Sequence, residues 1–399
     1  MASPPAIKGF TLFSEGASRP LTHLRLQIPQ QPQSVSIGLK LLREFLKVLP
    51  TEVILSVLVR PTVDEEKFRG LLRHWKVDPD RVRLAPSWHV TNLFARDSAQ
   101  SGTLPSGESA ILLPRSVLGM ASETEIQGEA EAEEGLGLPV FRSGLFWEGG
   151  NLLYDGHHGF IGANTVGENV VRLGLGEDQV LQALEAEFGV SFNVMGDVGE
   201  ACDTLRATLE GSRPQRIAEA GQADFHLDLD LALLGEIGGT PTAVVADPDM
   251  GLAFLPEVLA GEELFRNHFL PPKEMKLIFQ DDLRAAIEVR RPRLESYRDT
   301  LDELGYRVVG IPDLRLMDEG NHLGRTNTRF NYCNVLSGAI GGRPSVLLFS
   351  YGLADLDRAG FDVYRKLGVE PIAVGPDEVT SAELMALGGG IHCFTSRLA

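Results

Sequence analysis

Apolar, β-branched runs alternate with amphipathic helical patterns along the whole of this 399-residue sequence. Runs of this kind are typical of buried strands. They occupy residues 51–60, 109–114, 242–248, 307–312 and 345–351. The alternation predicts an α/β fold. Because no linker rich in Pro, Gly or Ser divides the chain, we expect residues 1–399 to form a single domain.

The helical patterns have clear stop signals. Residues 177–189 place four apolar side chains on one face and end at Gly189, and residues 355–368 also end in glycine. The segment 250–300 is helical in character, but a proline inside a helix removes a backbone hydrogen bond. We therefore predict a break near Pro292.

The charge balance of the chain is acidic, with a formal net charge of −18. This balance argues against nucleic acid as a partner and suits a cationic substrate, although solubility explains most of the charges. No apolar run is long enough to span a membrane, and the first ten residues lack the pattern of a secretory signal. The acidic segment 121–137 predicts a solvated helix or loop, with a mobile lid as the alternative.

The three cysteines, Cys202, Cys333 and Cys393, lie far apart in the sequence. An odd number without close pairs argues against a disulfide framework and favours a reducing, cytoplasmic compartment. A structural zinc site lacks its usual clustered ligands. The sequence leaves the oligomeric state open, a homodimer included.

Four short stretches combine charged or nucleophilic side chains with small residues. They are "FARDSAQ" (94–100), "FWEGGNLLYDG" (146–156), "ADFHLDLDLALL" (223–234) and "GGGIHC" (388–393). Each has a structural explanation when taken alone, since an Arg–Asp pair is most often a salt bridge and a lone cysteine is most often an inert buried thiol. Their candidate functional residues are Asp97, Glu148, His226, Asp228 and Cys393.

Alternation along a strand gives expectations for the last two stretches. If residues 223–234 form a strand, His226 and Asp228 share a face. If the chain is extended at Cys393, then His392 points to the opposite face. We therefore prefer His226 as the base, and we expect His392 to have a packing or hydrogen-bonding role.

Together and in this order, the four stretches resemble the guanidine-modifying enzymes of the pentein superfamily, above all the agmatine deiminase and bacterial-type peptidylarginine deiminase family. In that family a glycine run is followed by Ile-His-Cys and Thr, very nearly as in residues 388–395 of this sequence. The segment 331–352 is similar to the family's penultimate hairpin. The resemblance is strongest from residue 330 onward. It implies an α/β propeller of five ββαβ-like units around a pseudo-fivefold axis.

The resemblance also implies roles for individual residues. Cys393 would be the nucleophile and His226 the general acid and base, while Asp97 and Asp228 would bind the guanidinium nitrogens. Glu148 would assist that binding and orient His226. The full substrate-binding set that the resemblance implies is Asp97, Trp147, Glu148, Asn151, Asp228 and Gly390.

This set of residues suits the chemistry of a guanidinium group. The group is planar and cationic, so carboxylates match it with charge-assisted hydrogen bonds. Its central carbon is a poor electrophile, which calls for a thiolate nucleophile. The expected reaction releases ammonia and a ureido product from a small guanidino substrate, and needs neither a metal nor an organic cofactor.

Three other interpretations stay open. An amidinotransferase would use the same residues but pass the amidino group to an amine. A non-catalytic pentein would only bind its ligand, although it would have no reason to keep all five functional residues. A cysteine protease would not explain three acidic residues. The far end of the substrate is undetermined, and for Arg96, Arg325, Arg329 and Arg343 surface ion pairs are favoured over a carboxylate-binding role.

Overall fold

The structure is a computed structural model of the chain. It describes residues 9–29, 32–60, 62–86, 93–115, 136–210, 221–261, 272–316, 328–375, 377–380, 383–384 and 389–398. The acidic segment 121–137 lies outside the described residues except for residues 136–137, and Arg325 also lies outside them. Among the described residues, no helix combines the length and the apolar character that crossing a membrane requires.

Strands and helices alternate along the described chain, as the sequence predicts. The strands are β1 (Thr11–Leu12), β2 (His23–Gln27), β3 (Ile54–Val59), β4 (Val82–Pro86), β5 (Gln100–Thr103), β6 (Ser109–Arg115), β7 (Val140–Phe146), β8 (Leu152–Tyr154), β9 (Gly159–Gly162), β10 (Phe192–Met195), β11 (Leu231–Ile237), β12 (Thr240–Asp247), β13 (Arg307–Leu316), β14 (Thr328–Asn331), β15 (Leu336–Ile340), β16 (Arg343–Phe349), β17 (Glu370–Val374) and β18 (Ser396–Arg397). The helices are α1 (Pro32–Val48), α2 (Glu65–His74), α3 (Ala163–Leu173), α4 (Glu177–Phe188), α5 (Val198–Leu209), α6 (Pro248–Leu252), α7 (Leu255–Ala260), α8 (Pro272–Glu303), α9 (Ala354–Lys366) and α10 (Ile391–Phe394).

The chain forms two compact units. The first unit contains Met1–Glu15, Pro20–Leu227 and Cys393–Ala399, and the second contains Gly16–Arg19 and Asp228–His392. The chain therefore leaves the first unit after Leu227 and returns to it at Cys393. The expected single domain of residues 1–399 stays a prediction.

Five sheets of three or four strands make up the described β structure. The first unit holds the sheets β1-β5-β6-β7, β10-β9-β8 and β18-β2-β3-β4, and the second holds β11-β12-β13-β14 and β15-β16-β17. Every sheet contains an antiparallel pair of strands, and one strand of that pair also has a parallel neighbour. For example, β9 pairs antiparallel with β8 and parallel with β10, and β16 pairs antiparallel with β15 and parallel with β17. The fold is therefore mixed α/β with one strand pattern repeated in each sheet.

The hairpin that the sequence predicts within residues 331–352 is confirmed. Strands β15 and β16 pair antiparallel, and the two residues between them, Gly341 and Gly342, both have positive φ, at 57° and 76°. A two-residue hairpin turn with positive φ at both positions is easiest for glycine.

The predicted break near Pro292 is wrong, because α8 runs from Pro272 to Glu303 with Pro292 inside it. One face of this helix is fully buried on both sides of the proline and packs against β12 and β13. The buried residues of that face are Leu283, Ile287, Leu294, Tyr297 and Leu301. Pro292 itself is exposed, so water can bind the carbonyl group four residues earlier, which has no backbone N–H donor. Burial of the opposite face of the helix offsets the lost hydrogen bond.

Candidate active site

Cys393 lies in the single helical turn α10, Ile391–Phe394, and not on an extended strand as the sequence suggested. A turn of four residues has too little periodicity to be recognised in a sequence. The thiol is buried, with 2% of the residue exposed. The next side chain, Phe394, stacks on Phe94 with ring centroids 5.1 Å apart, which fixes the end of the turn in the first unit.

The imidazole of His226 lies close to this thiol. A ring nitrogen of His226 and the Sγ atom of Cys393 are within 4.8 Å of each other, and His226 is 2% exposed. Both residues belong to the first unit. The structure thus brings together the predicted nucleophile and the predicted general acid and base.

Two carboxylates flank the imidazole, one beside each ring nitrogen. Oε2 of Glu148 lies 2.5 Å from Nε2 of His226, and Oδ1 of Asp97 lies 3.6 Å from Nδ1. Negative charge this close favours the protonated imidazole, whereas burial of the ring opposes protonation. The Glu148 and Asp97 side chains keep 33% and 21% of their surface exposed, so both are partly open to solvent, whereas the ring is buried.

The turn that carries Asp97 is held from both sides. The Arg96 backbone N–H donates to the carbonyl oxygen of Cys393 at 3.1 Å, and the Gly149 N–H donates to the carbonyl oxygen of Asp97 at 3.4 Å. A Cβ atom at Gly149 would lie 2.0 Å from the Arg96 carbonyl oxygen. Glycine at position 149 therefore allows the loop of Glu148 to approach the loop of Asp97.

Two buried arginines hold the same turn, and neither is a surface residue. Nη2 of Arg25 donates to the carbonyl oxygen of Ala95 at 2.6 Å and to Oγ of Ser98 at 2.7 Å. Arg96 forms an ion pair with Glu15 at 2.8 Å. The surface ion pair expected for Arg96 is therefore wrong, because its guanidinium is used inside the first unit.

The side chain of Asn151 binds the backbone of the residues on either side of His226. Its Nδ2 donates to the carbonyl oxygen of Phe225 at 3.0 Å, and its Oδ1 accepts from the backbone N–H of Leu227 at 3.2 Å. Gln222 donates to the same Oδ1 at 3.0 Å. Asn151 is 2% exposed, and these contacts fix the backbone on either side of the imidazole. Its predicted contact with substrate stays a prediction.

Asp228 belongs to the second unit, and the expected strand around His226 is wrong. His226 lies in a bend, and Leu227–Leu229 form one turn of 3-10 helix. In the second unit, Nδ1 of His392 lies 2.7 Å from Oδ2 of Asp228. His392 therefore has the hydrogen-bonding role that the sequence favoured, and its partner is a predicted guanidinium ligand.

A buried ionic cluster anchors the segment after Asp228. Arg329 donates to the carbonyl oxygen of Leu229 at 2.5 Å and pairs with Asp230 and Asp313, each at 3.0 Å. Arg290 pairs with the same two carboxylates at 2.5 and 2.7 Å. The surface role expected for Arg329 is therefore also wrong. The two neighbouring arginine guanidiniums hold the pKa of the Asp313 carboxyl below its usual value, against the opposing effect of its burial.

Two further predicted substrate contacts have structural partners. Trp147 packs in the core of the first unit with its ring centroid 5.5 Å from that of Phe188. In the second unit, the Gly390 N–H donates to Oδ1 of Asn334 at 2.9 Å. Their roles as substrate contacts stay predictions.

Sequence reasoning missed two residues that hold the site's backbone, Arg25 and Asn334. The available signal for Arg25 is a charged residue between the two leucines of β2, and a buried arginine needs hydrogen-bond partners. Asn334 lies in the segment that is similar to the family's penultimate hairpin, but no local pattern reveals that its side chain binds backbone groups far away in sequence.

Comparison with known proteins identifies similar structures only. No family profile and no curated protein matches the chain. The agmatine deiminase of Enterococcus faecalis is 12% identical with a TM-score of 0.63, over 100% of this chain and 98% of that one. A protein provisionally described as a peptidyl-arginine deiminase is 14% identical with a TM-score of 0.61, over 98% of both chains. A cysteine-to-serine variant of the C. jejuni agmatine deiminase with substrate bound is 13% identical with a TM-score of 0.59, over 100% and 99%.

These likenesses extend over nearly the full length of each pair of chains. The resemblance to agmatine deiminases and peptidylarginine deiminases is thereby confirmed in fold. At such low sequence identity, a structural likeness establishes the fold alone. Imidazole and thiolate are also zinc ligands, so the expectation of a metal-free site stays a prediction.

Proposed function

We propose that this protein is a guanidine deiminase, which hydrolyses the guanidinium group of agmatine, arginine or a related compound to a ureido group and ammonia. The observation that carries the proposal is the buried thiol of Cys393 within 4.8 Å of a His226 ring nitrogen. Glu148 and Asp97 flank the same ring at 2.5 and 3.6 Å. The fold shared with agmatine deiminases supports it.

Substrate binding would depend on the carboxylates. Asp97 and Glu148 would accept hydrogen bonds from the guanidinium N–H groups, and Asp228 would add a third acceptor, as the family resemblance implies. The partly exposed side chains of Asp97 and Glu148 favour a ligand that approaches His226 from the solvent side. The net charge of −18 would attract such a cation.

In the first chemical step, the thiolate of Cys393 attacks the central guanidinium carbon and forms a carbon–sulfur bond. The protonated His226 gives its proton to one terminal nitrogen, which leaves as ammonia when its bond to carbon breaks. A covalent amidino–thioether intermediate on Cys393 remains. Glu148 keeps the imidazole oriented during this transfer.

In the second step, water adds to the same carbon. His226 takes a proton from this water, and the carbon–sulfur bond breaks to release the ureido product and regenerate the thiolate. One guanidinium cation and one water give one neutral ureido group and one ammonium ion, because the second proton of the water leaves with the ammonia, and atoms and charge balance without an oxidant or a reductant. All three cysteines are free and buried, which supports a reducing compartment for this chemistry.

The five-unit pentein arrangement is part of the proposal. Each of the five sheets contains an antiparallel pair extended by a parallel strand, which is the strand pattern of a ββαβ-like unit. The sheet β18-β2-β3-β4 would complete the fifth unit with a strand from late in the chain.

A screen of guanidino compounds tests the proposal. Purified protein is incubated with agmatine, arginine, a blocked arginine peptide, methylated arginine and guanidinoacetate, and ammonia and ureido product are measured together. We expect both products in equal amounts from at least one compound, with and without a chelator. Transfer of the amidino group to an added amine without ammonia would indicate an amidinotransferase, and binding without turnover would indicate a binding module.

Cysteine variants test the nucleophile. We expect Cys393→Ala to abolish ammonia release while the protein still folds. Cys202→Ala is the matched control, because Cys202 is also a buried thiol of the first unit, where burial raises its pKa and makes it unreactive. Unchanged turnover in Cys393→Ala would exclude the covalent mechanism.

A further inference from the structure

We propose that Asn334 is a positioning residue of the active site, because its single side chain binds backbone groups of the two chain segments that adjoin His226 and Cys393 in the sequence. The inference rests on the proposed function for its kinetic consequences, although its structural part can be tested on Cys393 alone. Asn334 lies in the second unit and is 1% exposed.

The amide group of Asn334 uses both of its ends. Nδ2 donates to the carbonyl oxygen of Asp228 at 3.0 Å, and Oδ1 accepts from the backbone N–H of Gly390 at 2.9 Å. The carbonyl oxygen of Asn334 also accepts from the N–H of His392 at 3.4 Å. Asn334 therefore joins two segments of the second unit that are distant in sequence.

These two segments carry the functional groups. Asp228 follows His226 by two residues, and His392 directly precedes Cys393. The carboxylate of Asp228 is bound by the His392 ring at 2.7 Å, so the side chain and the carbonyl group of Asp228 both have a defined partner. A displacement of Asn334 would therefore disturb a guanidinium ligand and the turn of the nucleophile together.

Asn334 is itself held rigidly. Oδ1 of Asn331 accepts from the backbone N–H groups of Cys333 at 2.8 Å and Asn334 at 3.1 Å. The fit at Gly390 is tight, since a Cβ atom there would lie 2.5 Å from the carbonyl oxygen of Asn334. Glycine at position 390 thus has a packing reason that depends on Asn334.

The chemistry of the position requires asparagine. It needs a donor and an acceptor on one short planar group, and a side-chain amide supplies both. Alanine supplies neither. Aspartate keeps the acceptor for Gly390 but has no donor for the Asp228 carbonyl oxygen, so Asn334→Ala and Asn334→Asp remove different contacts.

The experiment compares these two variants with wild type and with Asn193→Ala. Asn193 is the matched control, because it is also an asparagine whose side chain binds a backbone group. It lies in β10 of the first unit, and its Nδ2 donates to the Gly159 carbonyl oxygen at 3.1 Å. One readout is the rate at which iodoacetamide alkylates Cys393 between pH 6 and pH 9, measured by peptide mass spectrometry. The other is kcat and KM on the guanidino compound found in the screen.

We expect Asn334→Ala to lower the alkylation rate at pH 6 relative to pH 9 by about tenfold, because the segment that leads into Cys393 has lost its hydrogen bond at Gly390 and no longer fixes the thiol. We expect Asn334→Asp to keep the wild-type alkylation profile but raise KM about tenfold, because Asp228 has lost its backbone donor. The control variant should match wild type in both readouts.

A folded Asn334→Ala with the wild-type alkylation profile and wild-type KM would overturn the proposal, even if its unfolding midpoint fell. If Asn334→Ala does not fold, the test depends on Asn334→Asp. A wild-type KM in that variant would contradict the positioning role of Asn334. If wild type hydrolyses no guanidine, the proposed function fails, while the alkylation profiles still show whether Asn334 positions Cys393.

Discussion

Nε2 of His226 lies 2.5 Å from Oε2 of Glu148, although the histidine is buried and a third of the glutamate side chain is exposed. The pair therefore links an interior imidazole to the protein surface by one hydrogen bond. A proton on the ring is stabilised by this carboxylate and by Asp97 on the other side of the ring. An imidazole with this environment is suited to hold a proton until a leaving group needs it.

Glu148→Gln should lower kcat by about a hundredfold, because the neutral amide orients the ring but does not stabilise its protonated form. Steady-state kinetics on the substrate identified in the screen measures the effect. Glu185→Gln is the control, since Glu185 accepts from Ser191 at an exposed position of the same unit. Wild-type kcat in Glu148→Gln would mean that the carboxylate has no part in proton transfer.

Gly149→Ala should destabilise the protein by about 1–3 kcal/mol, because the new Cβ atom would clash with backbone. That atom would lie 2.0 Å from the Arg96 carbonyl oxygen, and a backbone atom cannot rotate away as a side chain does. Urea unfolding measures the loss, and activity should fall as the turn of Asp97 moves. Gly144→Ala is the matched control, since its Cβ atom would meet only the Glu187 side chain at 3.6 Å. Equal stability of the two variants would contradict the clash.

Asn151→Ala should reduce kcat and also lower stability by about 1–3 kcal/mol, because two buried backbone groups beside His226 lose their partner. Asn151→Asp keeps the acceptor for Leu227 and should retain more activity than the alanine variant. Enzyme kinetics and urea unfolding on both variants provide the measurement. A loss confined to KM would instead favour the direct substrate contact that the sequence suggested.

His23 makes stability depend on pH. Its Nε2 lies 2.8 Å from Oγ of Ser56 in the first unit, and burial together with the charge of Arg83 lowers the pKa of His23 from 6.5 to about 4. The unfolded chain therefore binds more protons than the folded chain between these two values, so stability should fall as the pH drops from about 6.5 to about 4.

Urea midpoints measured between pH 4 and pH 7 test this dependence. His23→Gln can still donate to Ser56 but does not titrate, so its midpoint should fall less steeply with decreasing pH than that of wild type. His74→Gln, an exposed histidine at the end of α2, should keep the wild-type slope. Identical slopes for wild type and His23→Gln would contradict the assignment.

Local sequence signals predicted the regular elements well. The helix α4 ends at Phe188 with Gly189 in the left-handed conformation, because apolar spacing and a terminal glycine are strong local signals. The same signals failed at Pro292, where burial of side chains on the far side of the helix outweighed a local preference. Tertiary packing of this kind has no local signature.

The side chains of the candidate site could be proposed from the sequence, but the local structure and the contacts that hold them could not. Cys393, His226, Glu148 and Asp97 were recognised as a set through their order, and the first unit brings all four together. The helical turn at Cys393 and the second-unit pairing of Asp228 with His392 were not foreseen. Contacts between segments so distant in sequence arise from tertiary packing, and a single sequence contains no measure of them.

Strand β18 joins the antiparallel edge of β2, and the Leu398 N–H donates to the carbonyl oxygen of His23. During translation β18 is made after β2, so this edge of β2 stays unpaired until the codons for Ser396 and Arg397 have been read. A nascent polypeptide at that stage exposes unpaired backbone groups that invite aggregation. Because Cys393 lies just before β18 in the sequence, a translation product that stalls ahead of both carries the carboxylates and the imidazole without the sulfur, and the candidate site gains its thiol together with the partner strand of β2.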